Sequence, residues 1–315
     1  MQSEFLTFST FDEIEAFWIE ATGVSPTLTQ LSAGPLNFKA RSDEFTGVTL
    51  TWVKSEGRQL WRDTVQDGCL HFGYMIESEG LVRSAGLEVN PADALVWIPE
   101  KEVDYLLEGP LFSLEFTVSE ELVAALGWKP KGAPLQKVSE THLSRLTHVA
   151  QMASAWLDTA VDLDNQTFEI RLNVWRDLLL DSLAKVLQPW FQYSDLELSA
   201  LRASKQYDII RSAEVLFSNG EIENSPDASV IAADLGISRR KLYYAFQNTL
   251  GIGPRRFIEL KRLHQLRRDL RSAHRDETSV TELAYKNGFS QLGRLSGLYK
   301  QHFGEGPKET LLRPA

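Results

Sequence analysis

Two stretches in the last third of the chain follow one grammar, and that repetition limits the fold more than any other feature of the sequence. The first runs from Ile231 to Phe246, with Gly236, Ile237 and Ser238 at its middle. The second runs from Glu282 to Tyr299, with Gly288, Phe289 and Ser290 in the same order. Each reads as a short helix, a glycine turn, an apolar plug, a serine cap and a second helix. The turn needs a residue free to take positive φ, which glycine supplies. The serine hydroxyl accepts from the orphan amides that open the next helix. Such a helix-turn-helix unit lays its second helix in a DNA major groove. The expected spans are about 229–248 and 279–302.

At about 100° per residue, Leu242, Ala245 and Phe246 turn inward while Arg240, Tyr243, Tyr244 and Gln247 turn out. With Ser238 and Arg239 at the helix start, these are the side chains able to reach bases or phosphates. In the second unit Leu295, Leu298 and Tyr299 turn inward. Its outward set is Ser290, Gln291, Ser296 and Lys300, with Arg294 on a flank and two glycines, Gly293 and Gly297, between them. Each glycine costs about 1 kcal/mol of helix stability. Either they let the backbone approach DNA closely, or this unit touches mostly the DNA backbone.

Between the units Pro254 starts a helix whose stripe is Phe257, Leu260, Leu263, Leu266 and Leu270. Eighteen or so residues at ~1.5 Å each make a rod of ~27 Å. That length suits two recognition helices set near the ~34 Å separation of successive major grooves. Charge agrees with this division. The chain carries −10 overall, yet from Leu201 onward it holds 19 basic against 13 acidic residues, and before it 14 against 30. An acidic region joined to a basic one fits a partner made of phosphate. Cys69 is the lone cysteine, so an intrachain disulfide and a multi-cysteine zinc site are excluded.

Before residue 118 the pattern has period two. Phe45–Val53, Arg58–Arg62, Cys69–Ile76 and Leu111–Val118 alternate apolar and polar between turn residues, as strands of an antiparallel barrel or sandwich do. Thr10 to Trp18 reads as a capped helix with Asp12 and Glu13 in its first turn. After residue 118 the period becomes helical. Phe168, Leu172, Trp175, Leu179 and Leu183 share one face, either as a dimer seam of coiled-coil type or as packing on the chain's own barrel. Pro189 ends that helix, and Gln192–Asp195 is the expected hinge. A further helix, about Tyr207–Phe217, is expected to bury Ile209, Ile210, Ala213, Leu216 and Phe217. All eight tryptophans precede the hinge, which predicts two domains with separate cores. The divisions are 1–193, with a barrel at about 26–118 and helices at about 139–188, and 205–312.

Trp52, Trp61, Phe72, Tyr74 and Trp97 are the candidates to line an effector pocket, and core packing is their alternative role. His71 is the lone histidine of the strand region, so no metal or other cofactor is expected. The start, Met1-Gln2-Ser3-Glu4-Phe5, lacks a signal peptide's basic and apolar runs, and no stretch reaches the ~18 apolar residues of a membrane span. A cytoplasmic location without membrane contact is the expectation.

The segment from about Gln206 to Leu312 resembles the DNA-binding domain of the AraC/XylS family of bacterial transcription regulators. The resemblance rests on Gly236 to Leu242 with Phe246 and Gly251-Ile252-Gly253-Pro254. It rests also on Gly288-Phe289-Ser290 with Tyr299, Phe303-Gly304 and Pro307. Leu250 to Pro254 and Leu292-Gly293-Arg294 are similar to the branch of the ethanolamine-utilisation regulators. The resemblance implies that the outward positions of both recognition helices read DNA. It also implies an N-terminal cupin-like domain that binds an effector or dimerises, and RNA polymerase as a partner if the chain is an activator. Gly293 and Gly297 depart from the polar side chains many members carry there.

The sequence therefore predicts a multi-domain α+β chain. A cupin-like β-barrel or sandwich with flanking helices is followed by an all-α domain of two helix-turn-helix units on a long helix. The function it predicts is a homodimeric, sequence-specific transcriptional regulator that reads a double-stranded operator, not an enzyme. Two rivals stand beside it. One is an adaptor whose helix-turn-helix units bind protein, and the other is a cupin-like enzyme with an accessory helical domain.

Overall fold

A computed structural model describes residues 4–23, 25–34, 36–64, 68–84, 86–97, 103–131, 133–160, 163–191, 205–218, 228–273 and 278–312. The first half begins with β1 (Leu6–Phe8), α1 (Phe11–Thr22), β2 (Ser25–Gln30), β3 (Phe38–Glu44), β4 (Val48–Ser55), β5 (Arg58–Thr64) and β6 (Leu70–Ser78). It continues with β7 (Val82–Ser84), β8 (Leu87–Glu88), β9 (Asp93–Trp97), β10 (Val103–Glu108), β11 (Leu111–Val118), α2 (Glu120–Leu126) and β12 (Leu135–Lys137). Then come α3 (Glu140–Thr159), α4 (Asn165–Val186) and α5 (Gln188–Phe191). The helical region holds α6 (Lys205–Ser218), α7 (Ala228–Asp234), α8 (Arg239–Leu250), α9 (Pro254–Ser272), α10 (Val280–Lys286), α11 (Leu292–Phe303) and α12 (Pro307–Leu312).

The N-terminal strands form two antiparallel sheets. One orders β1-β3-β4-β11-β6-β9-β12 and the other β2-β5-β10-β7-β8. Among the described residues no strand pairing joins them, so the expected closure into one barrel is not made; instead the sheets share a core. Phe38, Ala40, Val53, Leu95 and Trp97 from the larger sheet meet Leu28, Trp61, Val82, Tyr105 and Leu107 from the smaller. Helix α1 closes one side of this core with Ile14 and Trp18. It is fixed by a capping box in which Thr10 Oγ1 accepts from Glu13 N and Glu13 Oε2 accepts from Thr10 N.

The outer face of the larger sheet is covered by α3 and α4. Leu179 and Leu183 are wholly buried there beside Leu146 and Phe116, and Leu172 and Trp175 pack against the same cluster. Phe168 stacks on Trp156 at 5.6 Å. This corrects the dimer-seam assignment: the stripe is used within the chain, because the sheet's own apolar face lies next to it. The exposed apolar side chains of α4 are Ile170, Val174 and Leu178, on another face. Helix α4 stops at Val186, and Pro189 sits in the short α5. The expected hinge at 192–195 lies outside the described residues.

The expectation of separate cores is also corrected. The helical core built from Phe246, Phe257, Leu263 and Tyr299 takes in Leu31, Leu60 and Leu106 from the smaller sheet and the turn after β2. A strand sends successive side chains to opposite faces. Leu60 and Leu106 therefore meet the helices while Trp61, Tyr105 and Leu107 enter the inter-sheet core.

Polar contacts reinforce this seam. Arg62 is held by Asp104 at 2.6 Å and by Glu214 of α6. Arg211 reaches Asp104 at 3.2 Å, and Lys261 of α9 reaches Glu214 at 2.7 Å. Burial alone would raise the Glu214 carboxyl, but Lys261 and Arg62 overcome it and hold the group at about 2. Near Asp12, Arg271 and Arg267 approach at 3.1 and 3.6 Å.

A buried histidine pair sits at the same boundary. His264 Nε2 accepts from Gln30 N at 3.1 Å, which requires that nitrogen to be unprotonated. His302 Nε2 lies 3.4 Å away. Burial depresses His264 far below the usual ~6.5, and His302, Arg268, Lys261 and Arg267 add to the effect. Burial, then Arg256 and Arg267, bring His302 to about 4. The unfolded chain takes up these protons near pH 6.5 and the folded one resists them. Stability is therefore intact above about 6.5 and declines as pH falls toward 4, each unit of pKa difference being worth ~1.4 kcal/mol. We expect the melting temperature to fall between pH 6.5 and 4.5, above the range where Glu214 titrates, and to fall less in His302→Gln. A flat profile over that interval would contradict the neutral pair.

Candidate DNA-facing surface and inter-sheet cavity

In the first unit, α7 and α8 meet at Gly236, whose φ of 63° needs glycine. Ser238 caps α8, its hydroxyl accepting from Lys241 N at 3.2 Å. Leu242, Ala245 and Phe246 are buried, and Arg239, Arg240, Tyr243, Tyr244 and Gln247 are exposed. Arg240 lies over the Tyr244 ring, 5.2 Å from its centroid, and donates to its hydroxyl at 3.1 Å. The guanidinium is thus held against the Tyr244 ring on the exposed face of α8. Gln247 donates to Gly251 O at 3.1 Å. Tyr243 lies against Gly253.

The second unit has the same turn, with Gly288 at φ 77°. Its cap differs from the expectation. Helix α11 begins at Leu292 with Gln291 as N-cap, and no side chain caps it. Ser290 stands one residue too early to reach the first amides. The exposed set is Ser290, Gln291, Gly293, Arg294, Ser296, Gly297 and Lys300. Nothing lies within 4 Å of where a Cβ would stand on Gly293 or Gly297, so packing within the chain does not demand glycine at either. Arg294 is 3.5 Å from Glu259, and Arg255, Arg262 and Arg294 line a polar groove beside Gln291. Helix α9 carries both units, with its five-residue stripe fully in the core.

The smaller sheet holds the far end of α8. Arg83 of β7 donates to the carbonyls of Asn248 and Thr249 at 3.0 and 3.2 Å, and Arg58 lies against Gly251. A cation there complements the helix C-terminus.

Between the sheets lies a small cavity with about 70 Å³ of free interior. Of the five expected pocket residues, Trp61, Tyr74 and Trp97 border it. Tyr74 sends its hydroxyl to Thr147 at 2.8 Å. Trp52 and Phe72 do not border it. They face α3, α4 and α5, where Trp52 Nε1 donates to Ser154 Oγ and Phe72 packs on Trp190. Trp18, Tyr105, Leu107 and Glu115 are lining residues that sequence reasoning missed; parity along β10 and β11 was the available signal. Glu115 Oε2 lies 2.9 Å from His71 Nε2, and His71 Nδ1 is 2.8 Å from Thr117 Oγ1. Gly73 gives room for this pair, since a Cβ there would stand 3.1 Å from Glu115 and 3.2 Å from Trp97. Cys69 is half-buried, and burial raises its thiol. Among the described residues no cluster of three His, Cys, Asp or Glu could hold a metal. No helix among them is long and apolar enough to cross a membrane.

Residues 231–313 match a family model described as a helix-turn-helix domain. The chain is 42% identical over 81 residues to a probable thc operon regulatory protein of Rhodococcus erythropolis, covering 26% of this chain and 24% of that one. It is 36% identical over 75 residues to a XylDLEGF operon transcriptional activator of Pseudomonas putida, covering 24% and 23%. The matched stretch is thus about a quarter of those relatives' own lengths. The crystal structure of the AraC-like transcriptional activator CuxR aligns over 82% of this chain and 94% of that one, at 14% identity and a TM-score of 0.40. Residues 231–313 are thus similar to the helix-turn-helix domains of these operon regulators.

The two caps give a direct contrast. Ser238→Ala is expected to destabilise the chain by about 1 kcal/mol, and Ser290→Ala by less than about 0.5 kcal/mol, in urea denaturation. Equal losses would contradict the placement of the α11 N-cap.

Proposed function

We propose that the chain is a sequence-specific DNA-binding transcriptional regulator whose two helix-turn-helix units read neighbouring boxes of an operator. The observation that carries this reading is the exposed surface of α8, where Arg240 lies on Tyr244 beside Tyr243 and Gln247. A guanidinium held in that way suits bidentate contact with guanine. The uncapped amides of α11 and the open backbone at Gly293 and Gly297 favour close contact with phosphate by the second unit. Nearness to the ethanolamine-utilisation branch rests on Leu250–Pro254 and Leu292–Arg294 alone.

The two open sheets with a common core are read as a cupin-like sensor domain, with 1–193 as its extent and 205–312 as the DNA-binding domain. Pairing of two chains is assigned to the exposed Ile170, Val174 and Leu178 of α4, four residues apart on one face. A cytoplasmic location and contact with RNA polymerase belong to the same proposal.

Selection of bound fragments from random DNA by the purified chain, at two salt concentrations, tests it. The expected result is a motif of two boxes about one helical turn apart, with affinity falling steeply with salt. Two chains per fragment are expected if α4 pairs. Arg240→Ala is expected to weaken the selected site by ~1–3 kcal/mol and random DNA much less. Absence of binding at low salt would reject the reading and favour a protein-binding adaptor.

A further inference from the structure

The cavity between the sheets is walled mainly by aromatic and aliphatic side chains, among them Trp18, Trp61, Trp97, Tyr105 and Leu107. Its free interior is small, about 70 Å³, which limits a ligand to a single small ring reaching in from the mouth. Flat walls of this kind favour a flat, apolar ligand. Trp61 and Tyr105 are stacked at 13°, and Trp97 meets Tyr105 edge-on at 88°.

The polar groups at the wall are more selective. Glu115 and Asp93 are both largely buried there, with Ser84 and Ser113. Among the described residues no lysine, arginine or histidine lines the cavity. An anionic ligand would be placed beside two carboxylates without a counter-ion, a heavily penalised arrangement. Asp93 is already engaged, accepting from Asn90 N and Asn90 Nδ2. Glu115, held through Oε2 by His71, is the second carboxylate at the wall. Trp18 supplies the complementary demand: its indole Nε1 is buried and has no acceptor. An orphan donor of this kind is destabilising, and a ligand oxygen or nitrogen would relieve it.

We propose that this cavity binds a small aromatic molecule that carries an O–H or N–H donor and no negative charge, with Glu115 accepting from the donor and Trp18 Nε1 donating to the ligand. The proposal rests on the sensor reading above and names its ligand class. Occupancy is read out by β7. Val82 and Ser84 line the cavity, and Arg83 between them holds the C-terminal carbonyls of α8. One three-residue strand therefore touches the ligand on one face and the first recognition helix on the other.

The test titrates the purified full chain, without DNA, by intrinsic tryptophan fluorescence and calorimetry with benzyl alcohol, benzylamine and benzoate. Benzyl alcohol and benzylamine are expected to saturate, with benzoate at least tenfold weaker. Glu115→Gln is expected to abolish any preference for benzylamine over benzyl alcohol, and Trp18→Phe to weaken benzyl alcohol several-fold. Benzoate binding as tightly as benzylamine, or no saturation by any of the three in the wild-type chain, would overturn the proposal. Arg83→Ala should bind the same probes while ligand no longer shifts its DNA affinity. Since the titration contains no DNA, a chain that binds the probes but selects no DNA fails the regulator reading alone. A chain that selects an operator but binds no probe fails this proposal alone.

Discussion

The side-chain alternation of the five-stranded sheet is the constraint on which the rest of the molecule depends. Along β5, Leu60 and Arg62 face the helical region while Trp61 faces the inter-sheet core. Along β10, Asp104 and Leu106 face the helices while Tyr105 and Leu107 face the core. One layer of backbone thus serves two cores. The ionic cluster of Arg62, Asp104, Arg211, Glu214 and Lys261 pins that layer to α6 and α9. Buried ion pairs repay their desolvation only when every partner is present, so loss of Arg62 would leave two largely buried carboxylates short of a cation.

This construction makes the recognition surface dependent on the strand region without any long relay. Helix α8 is fixed at its start by Ser238, at its buried face by Phe246 on Phe257, and at its end by Arg83. Helix α9 is tied to β2 through His264 and to α1 through Asp12. A displacement of β7 or β2 by a fraction of an ångström alters contacts at the base of the first unit. The second unit is held mainly through α9 and α12, where Tyr299 bonds Thr310 and Arg267 bonds Glu305. Its coupling to the sheets is correspondingly indirect.

The helical region was largely legible in the sequence because its signals are local. Gly236, Gly288, Ser238 and Pro254 each specify a backbone conformation that needs no distant partner, and the stripe from Phe257 to Leu270 fixes the face of α9. Ser290 misled because a cap depends on where the helix begins, and Gln291 takes that position. The cavity was half legible. Period two tells which residues share a face but not which face is the inner one, so Trp52 and Phe72 were grouped with Trp61 and Trp97 across the larger sheet. The apolar stripe of α4 had the same ambiguity, settled by the sheet beneath it. The joined cores were invisible: Leu60 and Leu106 carry nothing that names α6 or α9 as their neighbours.

The central claim is that the five-stranded sheet holds the helical region in place through the Arg62 cluster. Hydrogen–deuterium exchange of the full chain, compared with Arg62→Ala, tests it most directly. The account predicts faster exchange in α6 and in the first half of α9 together with β5 and β10, while the larger sheet and α3 keep their protection. Loss of protection confined to β5 and β10, with α6 and α9 unchanged, would contradict it.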